Sequence, residues 1–216
     1  MFTIIKNQQP SGLIQYRKQK DASYNEIKRE LKSAIRLSLL KEQNSLCAYC
    51  MCRIKNKREE TKIEHIEPQS KSPDKMLDYK NMLAVCSGGE GSPYDQQHCD
   101  TYKGDKLLSF NPADTRVNLE IKLRYNGSGE IHSDDEQLNS DINEILNLNV
   151  VSLKENRHAV FLGIIRELSR SQKHAKKTDI LRLIAKWKVF DKEGKRKPYF
   201  AAAVYFLNKR LQKCSS

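Results

Sequence analysis

Five of the six cysteines in this chain lie between positions 47 and 99, and this clustering constrains the fold more than any other feature of the sequence. The first two form a CxxC pair, Cys47-Ala48-Tyr49-Cys50, whose backbone can direct both sulfur atoms at one ion. Cys86 and Cys99 stand further apart, so an intervening loop has to bring them together. We expect these four residues to form a structural zinc site, which has no open coordination position for catalysis.

Other interpretations of the cysteines stay open. Cys52 and His98 each lie one or two residues from a chosen ligand and are alternatives to it, and buried thiols without a metal are a further possibility. A disulfide framework is not expected, because we expect a reducing, cytoplasmic location. The N-terminus has only a short apolar run and is not expected to be a signal peptide. Membrane partners are not expected either, because no apolar run approaches the roughly 20 residues that span a bilayer.

The hydrophobic pattern divides the chain into three regions. Residues 1–45 form an extension that ends in a helix, residues 46–108 form the irregular cysteine-containing core, and residues 109–216 form a β-hairpin followed by helices. The first helix is expected to cover the small core that follows it. The expected strands are Lys62–Ile66, Met82–Cys86, Arg116–Tyr125 and Glu130–Ser133, and the expected C-terminal helices are Val151–Arg170, Thr178–Val189 and Pro198–Lys213.

The charge of the chain favours a polyanionic partner. Its formal net charge is +12 and its isoelectric point is about 9.4. Between Arg170 and Lys197, eleven Lys and Arg residues stand against three Asp and Glu residues, a local balance of +8. Such a segment suits contacts to phosphates, and Trp187 and Tyr199 are candidates for stacking on bases, although Trp187 fits a helical core better. A solvated face and a docking surface for an acidic protein are the alternatives.

The segment KIEHIEPQS, residues 62–70, places His65 between two glutamates in an apolar frame that Pro68 ends. Packing alone would favour aliphatic residues at such a position. Carboxylates beside an imidazole indicate either a metal site or a general base with a tuned pKa.

The order of the motifs CAYC, IEHIEPQS, LDYKNMLAVC and HCDTYKGDK resembles the HNH, or ββα-metal, nuclease family. More narrowly, it is similar to the HNH proteins associated with retron and Septu systems, the PtuB type. The segments MFTIIKNQQP and LNLNVVSLKENR extend the resemblance over most of the chain. The resemblance implies an α+β fold, with a zinc-stapled ββα-metal core flanked by an N-terminal helix and a mainly α-helical C-terminal region.

The resemblance also implies a role for each residue of the motifs. His65 would be the general base that takes a proton from water, and Asn81 would orient the active-site loop and the imidazole. Glu64 and Asp100 would hold a catalytic divalent cation such as Mg²⁺, and Lys103 would contact a phosphate oxygen.

The chain departs from the family pattern at two of these positions. Many members carry Asp where this chain has Glu64, and His or Asn where it has Asp100. Both substitutes are still oxygen ligands, so cation binding is retained while its geometry is open. His98 is an alternative third residue, in which case Asp100 would only cap the helix.

The implied function is metal-dependent hydrolysis of nucleic-acid phosphodiesters in an antiphage defence system. The implied partners are an ABC-type, PtuA-like ATPase and, in retron systems, the reverse transcriptase with its msDNA. DNA is the default substrate, and RNA, including tRNA, is an open alternative. A non-catalytic zinc module that binds nucleic acid or a partner is the alternative from another class; it would need the cysteines and the basic face but not His65.

Overall fold

The computed structural model describes residues 1–169 and 176–214, which form a mixed α/β fold with two small sheets. The helices are α1 (Ser11–Tyr16), α2 (Arg29–Glu42), α3 (Cys99–Lys103), α4 (Leu119–Lys122), α5 (Glu136–Ser140), α6 (Val151–Ser169), α7 (Lys177–Lys188) and α8 (Phe200–Lys213). The strands are β1 (Thr61–His65), β2 (Met82–Cys86), β3 (Leu123–Tyr125) and β4 (Ile131–Ser133). Within the described ranges, no helix is both long enough and apolar enough to cross a membrane.

The first sheet consists of β1 and β2, which pair antiparallel with His65 opposite Met82 and Thr61 opposite Cys86. All five residues of β2 are buried, as expected for its continuous apolar sequence MLAVC. The predicted bounds of β2 are confirmed, while β1 begins and ends one residue before its predicted bounds. Helix α3 follows β2 in the chain and contacts it, so two strands and a helix form one small unit.

Helix α2 covers this unit, as predicted, and contacts both strands. Its apolar positions Ile35, Leu39 and Leu40 are buried. Just after its C-terminus, the fully buried side chain of Gln43 donates to the carbonyl of Ala84 at 2.7 Å and accepts from the amide of Ala84 at 2.7 Å. The Gln43 amide therefore satisfies the backbone N–H and C=O of Ala84 at the free edge of β2, where an unpaired backbone group would be costly.

The predicted strand Arg116–Tyr125 is wrong over residues 116–122. The side chain of Asn118 accepts a hydrogen bond from the backbone N–H of Ile121 at 3.3 Å and caps the single helical turn α4. Only β3 remains as a strand, and it pairs with β4 so that Tyr125 lies opposite Ile131. The hairpin itself is confirmed, with a shorter first strand.

The three C-terminal helices agree with the prediction to within two residues, except that Arg170, the predicted end of α6, lies outside the described residues. They enclose a small second cluster of Ile164, Leu168, Ile180, Leu183, Ile184, Ala203 and Leu207. The main hydrophobic core includes residues from all three predicted regions, from Met1 to Ala202. The three regions therefore share a core, and the boundaries between them stay a prediction.

Candidate metal centre and candidate active site

The sulfur atoms of Cys47, Cys50, Cys86 and Cys99 all lie within 4.8 Å of one another, and all four residues are buried. The Cys47 and Cys99 sulfurs are 3.9 Å apart, and those of Cys50 and Cys86 are 3.8 Å apart. A tetrahedral zinc ion with Zn–S bonds of about 2.3 Å needs sulfur atoms about 3.8 Å from each other. The four cysteines therefore fit a metal such as zinc without rearrangement.

Separate elements deliver these sulfurs to one point. Cys47 and Cys50 lie in the turn after α2, Cys86 ends β2, and Cys99 begins α3. The loop between the last two depends on Gly88, whose φ is +63° and where a Cβ atom would stand 2.2 Å from the carbonyl oxygen of His98. A metal at this point would hold together a region that contains little regular structure.

Cys52 and His98, the two alternative ligands, lie beside the cluster. Cys52 is partly exposed and is not one of the four sulfurs that converge. The Nδ1 atom of His98 lies 3.2 Å from the sulfur of Cys99, so its ring contacts a ligand from outside the cluster. Burial raises the pKa of the Cys99 thiol, and the neighbouring Cys47 thiol raises it further. A bound metal would lower the pKa of this thiol instead, because it favours the thiolate.

His65 ends β1 and is 5% exposed. Its Nε2 atom lies 2.9 Å from the carbonyl oxygen of Met76, and its Nδ1 atom lies 3.3 Å from the side-chain nitrogen of Gln69. A carbonyl oxygen can only accept, so in the neutral ring Nε2 carries the proton and Nδ1 keeps the lone pair. Burial lowers the pKa of His65, which keeps the imidazole in this basic form near neutral pH.

Asn81 connects the two loops that surround His65. Its Oδ1 atom accepts from the backbone N–H of Glu67 at 2.8 Å, and its Nδ2 atom donates to the carbonyls of Glu67 at 3.0 Å and Lys75 at 3.3 Å. Lys75 directly precedes Met76, whose carbonyl holds the imidazole. Asn81 therefore fixes the backbone that sets the tautomer of His65.

Glu64 forms a buried polar cluster with residues of other elements. Its Oε1 atom lies 2.8 Å from the ammonium nitrogen of Lys103 and accepts a hydrogen bond from the Tyr49 hydroxyl at 3.1 Å. Burial raises the pKa of Glu64 well above its usual range, the adjacent Asp100 carboxyl raises it further, and Lys103 opposes the shift. Two carboxyl groups so close together are a suitable pair of oxygen ligands for a divalent cation.

Of the residues that the HNH resemblance implies, Glu64, Asp100 and Lys103 lie together, while His65 and Asn81 contact the loop between β1 and β2. Asp100 and Lys103, one turn apart on α3, both act electrostatically on His65 as well as on Glu64. Lys103 is 1% exposed, and its ammonium group contacts Glu64 from inside the protein. Among the described residues, the four cysteines are the only group of three or more potential ligands close enough to share a metal.

Two aromatic residues of this site were missed by sequence reasoning. Tyr49 stands between the first two cysteines and bonds Glu64, while the ring of Tyr24 packs edge-on against His65 with 4.5 Å between ring centroids. The CxxC pattern marks Cys47 and Cys50 and gives no weight to the residues between them. Tyr24 precedes α2 in a loop, where no periodicity indicates its neighbours.

The C-terminal basic segment is mostly solvent-exposed in the residues that the structure describes, with Lys176, Lys177, Arg182, Lys186, Lys188 and Lys192 all exposed. Arg170 and Lys173 lie outside the described residues. Trp187 packs against both hydrophobic clusters, as favoured by its sequence context, and Lys197 lies 5.0 Å from its ring centroid. Tyr199 is 7% exposed, so the expectation that it stacks on bases is wrong.

Comparison with known proteins gives one informative match. A 92-residue stretch of the chain is 32% identical to the Septu protein PtuB of Bacillus thuringiensis. The matched stretch covers 43% of this chain. It spans about a third (34%) of the length of that relative. The chain is thus distantly similar to PtuB over less than half of its length. No protein-family model matches the chain.

Proposed function

We propose that the chain is a metal-dependent HNH endonuclease that hydrolyses phosphodiester bonds of nucleic acid, with DNA as its substrate. The observation that carries this proposal is the placement of His65. Its Nε2 atom is fixed by the carbonyl of Met76, so Nδ1 keeps the lone pair, and the charges of Asp100 and Lys103 act on the ring.

In this mechanism His65 is the general base. Water attacks a phosphodiester poorly until a base within hydrogen-bond reach accepts its proton, and a neutral imidazole suits that task near pH 7. Nδ1 accepts that proton, and the Met76 carbonyl stabilises the resulting imidazolium through Nε2–H. Asn81 acts as a positioning residue, because its three hydrogen bonds hold the loops on which this geometry depends.

Glu64 and Asp100 would hold the divalent cation, Mg²⁺ or a similar ion. Once bound, such a cation supplies a positive charge that neutralises the negative charge developing on the leaving oxygen. Lys103 balances the charge of Glu64 in the present geometry. If a cation took over the charge of Glu64, the ammonium group of Lys103 would contact a phosphate oxygen, as the resemblance implies.

The similarity to PtuB supports a place for this chain in an antiphage defence system of the Septu or retron type. We propose that it works there with a PtuA-like ATPase in the cytoplasm, and that retron systems add the reverse transcriptase with its msDNA. We expect weak cleavage by the isolated chain, since unrestrained cleavage of nucleic acid would harm the host. The ATPase would then supply the activation.

A cleavage assay with Mg²⁺ tests the proposal. Wild-type protein and His65→Ala would be compared on plasmid DNA and on total RNA, each with and without the neighbouring ATPase. His132→Ala is the matched control, because His132 is exposed on β4, away from the motifs that carry the proposed site.

Cleavage of DNA that His65→Ala abolishes and His132→Ala retains would support the nuclease. If only RNA is cleaved, with the same dependence on His65, the substrate is RNA and the proposed mechanism stands. If wild type and His65→Ala behave alike under every condition, the non-catalytic zinc module replaces the nuclease.

A further inference from the structure

A cationic cleft lies between α2 and the segment that leads into β1, with a volume of about 740 Å³. Six Lys and Arg side chains line it against three Asp and Glu side chains. The cations are Arg29, Lys32, Arg36, Lys57, Arg58 and Lys62. This cleft is separate in sequence from the basic segment at the C-terminus, and it is the C-terminal segment that sequence reasoning selected for phosphate contacts.

Most of the cations in the cleft have no carboxylate partner. The ammonium nitrogen of Lys62 lies 3.3 Å from Oε2 of Glu90, and that of Lys57 lies 3.5 Å from Oε1 of Glu60. Of the other four, none takes part in an ion pair within residues 1–169 and 176–214. Positive charge gathered in a concave surface without compensation attracts an anion.

Arg36 is the most informative of these residues because it is only 9% exposed. Its Nε atom donates to the carbonyl of Thr61 at 3.0 Å, and this is the one hydrogen bond recorded for its side chain in the described structure. The terminal N–H groups of the guanidinium therefore remain for a ligand in the cleft. Their fixed fork matches the oxygen atoms of a phosphate. Burial lowers the pKa of Arg36, and the charge of Glu59, with which it forms no ion pair, opposes this shift.

The cleft leads to the candidate active site. Asp100 and Tyr24 line it, and Tyr24 is the residue whose ring packs against His65. The ammonium group of Lys32 lies 4.9 Å from the Tyr24 ring centroid. An anion seated along these cations would thus end at the carboxylate that we assign to the catalytic cation.

We propose that this cleft binds the sugar–phosphate backbone of a single nucleic-acid strand and leads it to Asp100 and His65. The direction of the strand toward these residues rests on the proposed function, whereas binding in the cleft does not. The volume of about 740 Å³ falls within the range of about 300–1,000 Å³ that is typical of ligand pockets, so we infer a single strand as the occupant. Lys and Arg dominate the charged lining, so we infer that the cleft contacts the phosphates of the backbone.

Binding can be measured without cleavage by using the His65→Ala protein without added divalent cation, which leaves the structural zinc in place. Fluorescence anisotropy with a labelled oligothymidine and with a labelled duplex would report affinity for each. The cleft variant carries Arg29→Glu, Lys57→Glu and Arg58→Glu, all at exposed positions. The matched variant carries Lys188→Glu, Lys209→Glu and Lys213→Glu, which make the same charge change at exposed positions of α7 and α8.

We expect the cleft variant to bind oligothymidine at least about tenfold more weakly, with a shallower dependence of affinity on salt, because phosphate contacts are lost. The α7–α8 variant should lose much less affinity for oligothymidine. An equal or larger loss in the α7–α8 variant would overturn the proposal, as would unchanged affinity in the cleft variant. Duplex binding as tight as single-strand binding would also overturn it.

Failure of this proposal and failure of the nuclease can be told apart. If the cleft variant alone loses affinity but the His65-containing protein never cleaves, the cleft stands and the nuclease does not. If the three cleft substitutions leave cleavage by the His65-containing protein at its full rate, the nuclease stands and the cleft is not its substrate path.

Discussion

The ammonium nitrogen of Lys103 lies 2.8 Å from Oε1 of Glu64, and the two side chains are 0% and 6% exposed. A buried ion pair of this kind is held in balance, because the attraction between the charges offsets the cost of removing them from water. Here a second carboxyl group, that of Asp100, lies beside Glu64. The net charge of these three groups is therefore negative when both carboxyl groups are ionised. A divalent cation bound there would neutralise it.

Removal of the lysine charge should destabilise the protein and make its stability depend on a divalent cation. Lys103→Met removes the cation that pairs with Glu64, so the buried carboxyl group loses its counter-charge or takes up a proton, and the loss of stability is up to about 3–5 kcal/mol. Added Mg²⁺ or Mn²⁺ should recover part of this loss, since a ligand that binds only the folded state stabilises it. Urea unfolding with and without the cation measures both effects.

Lys106→Met is the control for this experiment, because Lys106 is exposed and lies just beyond the same helix. It should change stability little and respond to the cation as wild type does. A Lys103→Met protein as stable as wild type, or one whose stability ignores the cation, would contradict the assignment of Glu64 and Asp100 as its ligands.

One zinc ion per chain should be bound by the four cysteines. Cys50→Ser should lower the zinc content, and the protein should lose much of its stability, because a structural zinc site contributes folding free energy directly. Cys52→Ser tests the alternative ligand at nearly the same place in the chain and should keep the zinc. Elemental analysis of the purified variants, together with thermal unfolding, checks both. If Cys52→Ser loses the zinc and Cys50→Ser retains it, then Cys52 is the zinc ligand and Cys50 is not.

Local sequence predicts the parts of this site that depend on neighbouring residues. The run Met82–Cys86 is long enough and apolar enough to specify a buried strand, and the CxxC pair specifies a turn that aims two sulfurs at one ion. The Arg116–Tyr125 pattern failed because one cap, Asn118, starts a helical turn, and alternation of side chains does not reveal such a cap. The depth of Lys103 could not be predicted either. Helical spacing places it on the face of Asp100, but only the packing of α3 against β2 buries it.

Asn81→Ala should lower both the stability of the fold and the rate of catalysis. The substitution removes three hydrogen bonds that hold the loops around His65, each worth about 1 kcal/mol. We expect the cleavage rate to fall by a factor of about 10 to 100, since general-base catalysis depends on placement of the base. Nitrogen NMR of the histidine rings provides an independent measurement. In wild type, neutral His65 should carry its proton on Nε2, and in Asn81→Ala this preference should weaken, while exposed His132 is unchanged.

The pH dependence of cleavage should have its acid limb below pH 6.5. Burial lowers the pKa of His65 from its usual value of 6.5, so the neutral, basic ring is the main form above that pH. As the pH falls through the lowered pKa, the ring gains a proton and activity is lost. The same protonation lowers stability, because the unfolded state binds the proton first. Single-turnover rates between about pH 5 and pH 8 at saturating Mg²⁺ measure this limb. An acid limb centred above pH 7 would show that another group is the base.

Gln69 should restrain His65 in the isolated chain. Its side-chain nitrogen lies 3.3 Å from Nδ1, the atom that has to accept the proton of the attacking water. Gln69→Ala removes this competitor, whose hydrogen bond is worth about 0.5–1.5 kcal/mol, so cleavage by the isolated chain should rise by a factor of about 2 to 10. Gln96→Ala, an exposed glutamine in the loop before α3, should have no effect. The comparison is made at equal zinc content and equal thermal stability, so that a change in rate reports on the imidazole. A fall in rate for Gln69→Ala would mean that the amide positions the base or the water, and that the restraint on this chain lies elsewhere.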